Sequence, residues 1–377
     1  MADQITNYKC PSCGGPLHFS NETQDLACDY CESHYTVEEI EALYAEHDAS
    51  AAAAQNAAAA QNAAAQQSSD DGWELASQSS WGADGQNLTA YNCPSCGAEL
   101  ICDQNTAASS CPYCGNPTII PGQLHGMLKP DYVIPFKLDK NAAMNALRSH
   151  YKGKKLLPNS FSKENHIEEI KGVYVPFWLF DGEAYADLTY DATRTHVTET
   201  RNERVTTTEH YKLHRSGTVP FQMIPVDGSS KMPDDHMDAI EPFDYSELKP
   251  FSTAYLPGFY ADKYDVGMEE SSARADERAV QTAKDAMRAR CVGYQTVMEA
   301  GGQVLLNRGK VHYALLPVWM LSTKWNGQNF LFTMNGQTGK LIGDLPVDKG
   351  KYWKYFAIAT AIATAAVTAV LTILNVM

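Results

Sequence analysis

Cys10-Pro-Ser-Cys13 opens a motif that closes, after fourteen intervening residues, with Cys28-Asp-Tyr-Cys31. The same pattern with the same gap recurs further along the chain as Cys93-Pro-Ser-Cys96 and Cys111-Pro-Tyr-Cys114. Four thiolates from two CxxC turns provide the tetrahedral sulfur shell that Zn²⁺ prefers. We therefore predict two zinc ribbons, each built around one structural ion. The expected ligands are Cys10, Cys13, Cys28 and Cys31 in ribbon 1, and Cys93, Cys96, Cys111 and Cys114 in ribbon 2.

Disulfide bonds are the alternative to a metal site. CxxC pairs in a chain with no visible signal peptide favour metal, because a reducing compartment keeps thiols free. A closed shell of four cysteines leaves no open coordination position, so we expect a structural role and no catalysis. Iron remains an alternative to zinc. The two other cysteines, Cys102 and Cys291, are expected to be partly buried small apolar residues.

The negative charge is concentrated in the ribbon half of the chain. The net charge of the 377 residues is −15, and residues 1–128 hold sixteen Asp or Glu against a single Lys, whereas the remainder has 29 of each sign. Nucleic-acid affinity depends mainly on Lys and Arg side chains that neutralise phosphates. The ribbons are therefore expected to contact protein, and nucleic-acid binding is disfavoured.

An alanine-rich tract lies between the two ribbons. It contains neither Gly nor Pro, and Ala has the best intrinsic helix propensity, which predicts a helical spacer. A Ser/Gly-rich linker follows, in which Trp73 and Trp81 either dock on a neighbouring surface or are incidental. The predicted segments are ribbon 1 (1–35), the helical spacer (36–67), the flexible linker (68–88) and ribbon 2 (89–120).

Residues 129–347 have the pattern of a mixed α/β body, which gives an α+β fold class for the whole chain. Pro176-Phe-Trp-Leu-Phe matches Pro317-Val-Trp-Met-Leu position by position, and each follows a strand and a helical segment. This order predicts an internal duplication over 129–220 and 251–345. Two such units would cover one face of a sheet with helices and leave the other face available.

A polar hairpin is predicted from Tyr190 to Leu213, with its turn near Asn202-Glu203. Its strands have few large apolar residues, so we expect it to project from the body. His196 and His210 lie in this hairpin and His214 directly follows it. The three histidines form either a metal site or part of a solvated or partner-pairing surface, and the second interpretation is favoured. Asn326-Gly327 predicts a further tight hairpin turn.

The C-terminal residues Phe356–Met377 are 22 residues without a charge. This length suits a helix that spans a bilayer. Lys349, Lys351 and Lys354 precede it, interleaved with aromatic residues, as is typical of a membrane interface. The sequence predicts a transmembrane anchor over 355–377 that crosses the cell membrane once, with the N-terminal domains in the cytoplasm.

Small residues recur every four positions in this anchor. Two adjacent rows on one helix face favour close pairing with a second helix, from another copy or another membrane protein. The alternative is mild hydrophobicity without a partner. The rows are Ala357, Ala361, Ala365 and Ala369, and Thr360, Thr364, Thr368 and Thr372.

The ribbons resemble the TFIIB-type zinc-ribbon class. Cys111-Pro-Tyr-Cys-Gly-Asn-Pro-Thr-Ile-Ile-Pro-Gly and Lys129-Pro-Asp-Tyr-Val-Ile-Pro-Phe-Lys resemble a family of bacterial, mainly Gram-positive, zinc-ribbon membrane proteins, over residues 91–350. Members are often labelled as relatives of the primosomal helicase, a name that implies an ATPase, but this chain has no phosphate-binding loop. The family is akin to proteins encoded beside phage-shock and SPFH-domain proteins, which implies a scaffold in the envelope stress response.

These features predict a membrane-anchored adaptor that recruits protein partners and is not an enzyme. A membrane-tethered nucleic-acid-binding factor is the second interpretation, and it would need a basic patch on the body. An enzyme active site in the body is the third, and no catalytic motif in the sequence favours it.

Overall fold

The described part of the chain contains two sheets, helices that pack on the larger sheet, and a C-terminal helix. The computed structural model describes residues 10–13, 15, 17–21, 23–28, 30–40, 42–43, 72–77, 81, 88–103, 111–114, 120–122, 128–159, 161, 167–200 and 203–376. Most of the predicted spacer and linker lies outside these residues. The mixed α/β architecture predicted from the sequence is confirmed.

Ribbon 1 has a small antiparallel sheet of its own. Its strands are β1 (Leu17–Ser20), β2 (Asp25–Cys28) and β3 (His34–Tyr35). It docks on the body through Phe19, whose ring meets the Tyr255 ring edge-on with centroids 5.1 Å apart. The Gln24 side-chain amide also donates to the Phe136 carbonyl over 2.8 Å.

Twelve strands form the second sheet. The first six are β4 (Glu74–Leu75), β5 (Leu88–Asn92), β6 (Glu99–Asp103), β7 (Ile120–Gly122), β8 (Tyr132–Val133) and β9 (Lys171–Glu199). The other six are β10 (Arg204–Asp227), β11 (Lys249–Pro250), β12 (Tyr260–Asp262), β13 (Thr296–Trp325), β14 (Gln328–Asn335) and β15 (Leu341–Gly343). The main path runs β11-β8-β13-β9-β12-β6-β5-β7, with β10 beside β9, β14 beside β13, β15 beside β14 and β4 beside β13.

The centre of this sheet has a local twofold arrangement. Strands β9 and β13 run antiparallel, and Val175 lies directly opposite Leu316. Strand β8 pairs in parallel with β13 at Ala314 and Leu315, while β12 pairs in parallel with β9 at the matching positions Val173 and Tyr174. The segments that align in sequence thus occupy equivalent places about an axis through the Val175–Leu316 pair.

Four helices have described boundaries: α1 (Lys140–Tyr151), α2 (Asp234–Ile240), α3 (Met268–Ala289) and α4 (Lys349–Val376). One sheet face was expected to remain available, and at the sheet centre this is wrong. Phe177 and Leu179 on that face are at most 1% exposed and belong to one buried apolar cluster with Met237 and Ile240 of α2. The cause is that the strands here are apolar on both faces.

Strands β9, β10 and β13 continue beyond the centre as a three-stranded extension, formed by residues 182–199, 204–221 and 296–309 and here named the arm. The predicted hairpin pairing is confirmed, with Leu213 opposite Tyr190. The hairpin was expected to project from the body, and its described distal residues 196–200 and 203–210 are exposed. Nearer the body, α3 covers one face of the arm. Alanines make the contact close: Ala184, Ala186 and Ala192 of β9 and Ala275, Ala279 and Ala283 of α3 are all at most 1% exposed.

Arginines on α3 also fasten α2 to the sheet. The Arg274 guanidinium lies 2.9 Å from the Asp227 carboxylate at the end of β10 and 2.5 Å from Asp238 of α2. Arg278 contacts Glu241 over 2.7 Å. Charged side chains on one edge of α3 therefore link three elements, while its alanine edge faces the arm.

The linker tryptophans both pack on the body. Trp73 donates its indole N–H to Asp276 over 3.0 Å and meets the Phe180 ring at 4.8 Å between centroids. Trp81 meets Phe251 edge-on at 5.5 Å. Of the two possibilities for these residues, docking on a neighbouring surface is the one observed.

Candidate metal centres

Each predicted cysteine set comes together as a compact cluster. In ribbon 1 the sulfurs of Cys10 and Cys31 are 3.5 Å apart, and those of Cys13 and Cys28 are 3.4 Å apart. All four sulfur atoms lie within 4.8 Å of one another, and ribbon 2 meets the same criterion. Its closest sulfurs are 3.6 Å and 3.7 Å apart. The arrangement suits a single ion at the middle of each cluster.

These separations distinguish a metal site from disulfides. A tetrahedral ion with Zn–S bonds of about 2.3 Å holds its sulfurs about 3.8 Å apart. A disulfide requires about 2.05 Å between sulfurs, and the cysteines of both clusters are free thiols. Both clusters therefore fit a divalent ion such as zinc, and the chain's donor set is entirely thiol.

Backbone N–H groups stabilise the thiolate of the first cysteine in each ribbon. Burial would raise the pKa of Cys10, but backbone N–H groups of Cys13 and Ser12 donate to its sulfur and lower that pKa to about 6. In ribbon 2, burial likewise opposes the N–H groups of Cys96 and Ser95, which lower the pKa of Cys93 to about 7. These amides favour thiolate, the form of cysteine that binds metals.

The second cysteine in each ribbon has a raised pKa instead. In ribbon 1 the Gly15 backbone lowers the pKa of Cys13, but hydrogen bonds with the Cys31 and Cys28 thiols outweigh it and raise that pKa to about 12. Burial raises the pKa of Cys96 to about 11. Without a cation the clusters thus retain protons, and metal binding must release them.

The two ribbons differ in how they join the rest of the molecule. Strands β5, β6 and β7 of ribbon 2 belong to the large sheet, where β6 pairs with β12 through Ile101 and Ala261. Ribbon 1 keeps a separate sheet. Ribbon 2 is therefore part of the large sheet of the body, whereas ribbon 1 is not.

The tyrosine of the closing C-x-Y-C motif shows the difference most clearly. Tyr30 in ribbon 1 is 78% exposed. Its counterpart Tyr113 has a buried hydroxyl. Burial, and next the charge of Asp262 on β12, raise the pKa of Tyr113 well above its usual range. One sequence motif thus presents an aromatic ring to solvent in ribbon 1 and packs it against the body in ribbon 2.

A buried carboxyl beside ribbon 2 had no signal in the sequence. The Ser229 hydroxyl donates to Asp262 over 2.6 Å, and both residues are at most 2% exposed. Burial raises the pKa of Asp262 to about 7, although the Ser229 hydroxyl lowers it. Sequence patterns could not find this pair, because its members are 33 residues apart in the chain.

The hairpin histidines do not form a metal site among the described residues. His214 lies 2.6 Å from Asp187, and His196 lies 3.8 Å from Glu209. Within the described ranges, groups of three or more potential ligands occur only at the two cysteine clusters. Cys102 and Cys291, expected to be partly buried, are 0% and 7% exposed.

One described helix is long and apolar enough to cross a membrane. In α4 this stretch covers Lys349–Val370, and none of its described window is buried. The hydroxyls of Thr364 and Thr368 donate to the carbonyls of Thr360 and Thr364, over 2.8 Å and 2.6 Å. These two threonines are therefore hydrogen-bonded within their own helix.

Comparison with known proteins finds a relative that matches nearly the full chain. The chain is similar to "Uncharacterized protein YdjG" of Bacillus subtilis (strain 168), with 34% identity over 353 residues, 94% of this chain and 94% of the relative. No family model matches. No solved structure matches.

Proposed function

The chain belongs to the family of Bacillus subtilis YdjG, and we propose that it is a membrane-anchored zinc-ribbon adaptor that recruits protein partners to the cytoplasmic membrane surface. The observation that carries this proposal is the exposed apolar helix α4, which leaves a folded body bearing two closed cysteine clusters. A bilayer covers the apolar surface of such a helix, while the clusters offer binding surfaces and no open catalytic position.

Zinc is the ion that we assign to both clusters. All eight donors are cysteines, and tetrahedral sites of four thiolates are typical of structural zinc. The sulfur separations of 3.4–3.7 Å across each cluster agree with this size of ion. The ions would hold together the CxxC turns and contribute to folding.

Ribbon 1 is the part that we expect to contact the partner. Its Tyr30 is exposed, and aromatic rings are enriched in the buried centres of protein interfaces. The residues through 128 are strongly acidic, which suits a partner with a basic surface. Ribbon 2 supports the body, since its strands are part of the large sheet.

The orientation in the membrane follows from the lysines before the apolar run. Lys349, Lys351 and Lys354 stand on the N-terminal side of α4, and cytoplasmic flanks are enriched in Lys and Arg. The ribbons and the body would thus face the cytoplasm. The likeness to zinc-ribbon proteins encoded beside phage-shock proteins supports a role in envelope stress.

The test is affinity capture of the full chain from gently solubilised native membranes. Tyr30→Ala should lose the recovered partner and keep both metal ions, and Cys10→Ser/Cys13→Ser should lose partner and one ion. Tyr113→Phe is the matched control at the equivalent position of ribbon 2, and it should retain the partner. Recovery should fall with added salt, because exposed charges are screened.

Two results would contradict the proposal. If Tyr30→Ala recovered as much partner as the wild type, Tyr30 of ribbon 1 would not be part of the contact. Recovery of nucleic acid that survives moderate salt would favour the membrane-tethered nucleic-acid factor in place of the adaptor.

A further inference from the structure

A cavity of about 450 Å³ lies where α4 meets the body. One wall is the end of α1 with the segment that follows it, and the other is the first two turns of α4. The side chains that the argument uses are Tyr151, Lys154, Lys155, Lys351, Lys354 and Tyr355. The cavity thus brings four lysines together from two parts of the chain that are about two hundred residues apart in sequence.

No described carboxylate lines this cavity. Lys154, Lys155 and Lys354 are exposed. Within the described ranges, the ion pairs to Asp and Glu lie elsewhere, on residues such as Lys137, Lys231 and Lys263. Four like charges around one space repel one another, and a bound anion would offset that repulsion.

The fourth lysine is fixed in position by the body. The Lys351 ammonium donates to the Leu157 carbonyl over 2.5 Å and to the Asn159 side chain over 2.8 Å. The neighbouring backbone is fixed as well, because the Asp348 N–H donates to the Leu156 carbonyl over 2.9 Å. The two walls therefore hold one another, and the cavity is formed before any ligand arrives.

The position along α4 indicates which anion fits. Lys354 lies two residues before Phe356, where the uncharged run begins, which is about 3 Å along a helix axis. Lys351 lies about 7 Å before the same point. If α4 spans the bilayer as proposed above, the cavity is at the depth of lipid headgroups. Trp353 and Tyr355, 63% and 45% exposed, are the aromatic residues expected at that depth.

We propose that this cavity binds the phosphate of an anionic glycerophospholipid headgroup. The lysine ammonium groups contact the phosphate oxygens, and Tyr355 lines the same cavity beside them. This inference rests on the proposed membrane anchoring and adds a lipid class to it. The cavity would then orient the body on anionic membranes, in addition to the anchoring by α4.

The test uses the full chain in neutral detergent micelles that contain a small fraction of phosphatidylglycerol or phosphatidylcholine. Native mass spectrometry counts the lipid retained per chain. The wild type should retain one phosphatidylglycerol at least about tenfold more strongly than phosphatidylcholine. Lys154→Gln/Lys354→Gln should weaken retention about 30-fold, since each lysine near an anionic surface contributes roughly a fivefold effect.

The matched control is Lys152→Gln/Lys349→Gln. It changes the net charge equally at exposed positions next to the cavity that do not line it, and it should leave retention within about twofold of wild type. Equal losses in both double variants would overturn the site and leave only diffuse attraction.

A further arm separates lipid from free phosphate. Inorganic phosphate at millimolar concentration should not displace the lipid, and displacement would identify a soluble phosphate site instead. Membrane anchoring is scored separately by flotation after an alkaline carbonate wash. Extraction of the wild type by carbonate would contradict the anchor, whereas lipid selectivity in micelles decides the cavity.

Discussion

The Ser229 hydroxyl and the Asp262 carboxyl are joined over 2.6 Å in a site where both residues are buried. Asp262 lies on β12, whose neighbours are β6 of ribbon 2 on one side and β9 of the body on the other. The pair therefore lies at the place where ribbon 2 becomes part of the body. Ionisation of Asp262 would therefore affect the stability of both ribbon 2 and the body.

Asp262→Asn should weaken the pH dependence of stability. Burial raises the pKa of Asp262 to about 7, above the value of about 3.9 expected in the unfolded chain. The folded state thus binds the proton more strongly, and this contribution is complete below pH 4 and is lost as the pH rises through 7. Unfolding of the full chain in detergent, followed by tryptophan fluorescence between pH 5 and pH 8, measures the effect.

The wild type should lose roughly 2–3 kcal/mol of this contribution across that range, and the variant should not. The control is Asp285→Asn, an exposed carboxylate on α3 that accepts a hydrogen bond from Gln281. A pH profile unchanged by Asp262→Asn would contradict the assignment.

Purified full chain should contain two zinc ions, and each cluster should be removable separately. Cys13→Ser and Cys96→Ser should each leave one ion per chain by elemental analysis. The thermal midpoint should fall further in Cys96→Ser, because ribbon 2 shares its strands with the body sheet. Equal shifts in the two variants would contradict this difference, and an iron-coloured protein would contradict zinc.

Gly302→Ala should destabilise the arm. Gly302 has φ +124°, and an added Cβ would lie 2.1 Å from the Asp187 carbonyl oxygen of the adjacent strand. Backbone strain of this kind costs about 1–3 kcal/mol, and the clash adds to it. Chemical unfolding of the detergent-solubilised chain should report a loss above about 3 kcal/mol.

Gly301→Ala provides the comparison for that substitution. Gly301 also has a positive φ, +151°, but no atom lies within 4 Å of the place that an added Cβ would occupy. Its loss should be the smaller one. The reverse order would show that steric contact with Asp187 does not limit the site.

Arg274→Gln should leave Asp227 as a buried carboxylate without its nearest cation. The Asp227 side chain is 3% exposed, and burial already raises its pKa to about 6 against the lowering effect of Arg274. Removing one partner of a buried ion pair costs about 3–5 kcal/mol. The variant should become less stable as the pH rises, because the raised pKa now favours the neutral acid.

Lys284→Gln is the control on the same helix. Lys284 pairs with Glu299 over 2.8 Å at a partly exposed site, where such a pair contributes at most about 1 kcal/mol. Comparable losses in the two variants would show that burial of Asp227 is not what matters. The measurement is urea unfolding at pH 6 and pH 8.

Sequence patterns predicted the features that are formed by residues close together in the chain. The cysteine spacing predicted both clusters, because two CxxC turns bring their sulfurs together with little help from the rest of the chain. Asn326 and Gly327, with φ of 48° and 79°, make the tight turn between β13 and β14 that this dipeptide predicts. The segment from Tyr190 to Leu213 was likewise predicted as a hairpin, because its two strands are neighbours in the chain.

Contacts between distant segments could not be predicted in this way. The contact between α3 and the arm was not predicted, because Ala184, Ala186 and Ala192 form much of the buried face of β9 and carry little hydrophobic signal. The signal that could have found the contact is the spacing of Ala275, Ala279 and Ala283, one helix turn apart on α3. The pairing of β12 with both β6 and β9 depends on a register that no single segment specifies.

The junction at Asp348 fixes more than the depth of α4. With Asp348 bound to Leu156, and Lys351 bound to Leu157 and Asn159, the helix cannot rotate about its long axis unless the body turns with it. A pair of chains joined through the alanine and threonine rows would consequently hold their bodies at one set angle. Helix contact inside the bilayer would then determine the geometry of an assembly on the cytoplasmic side.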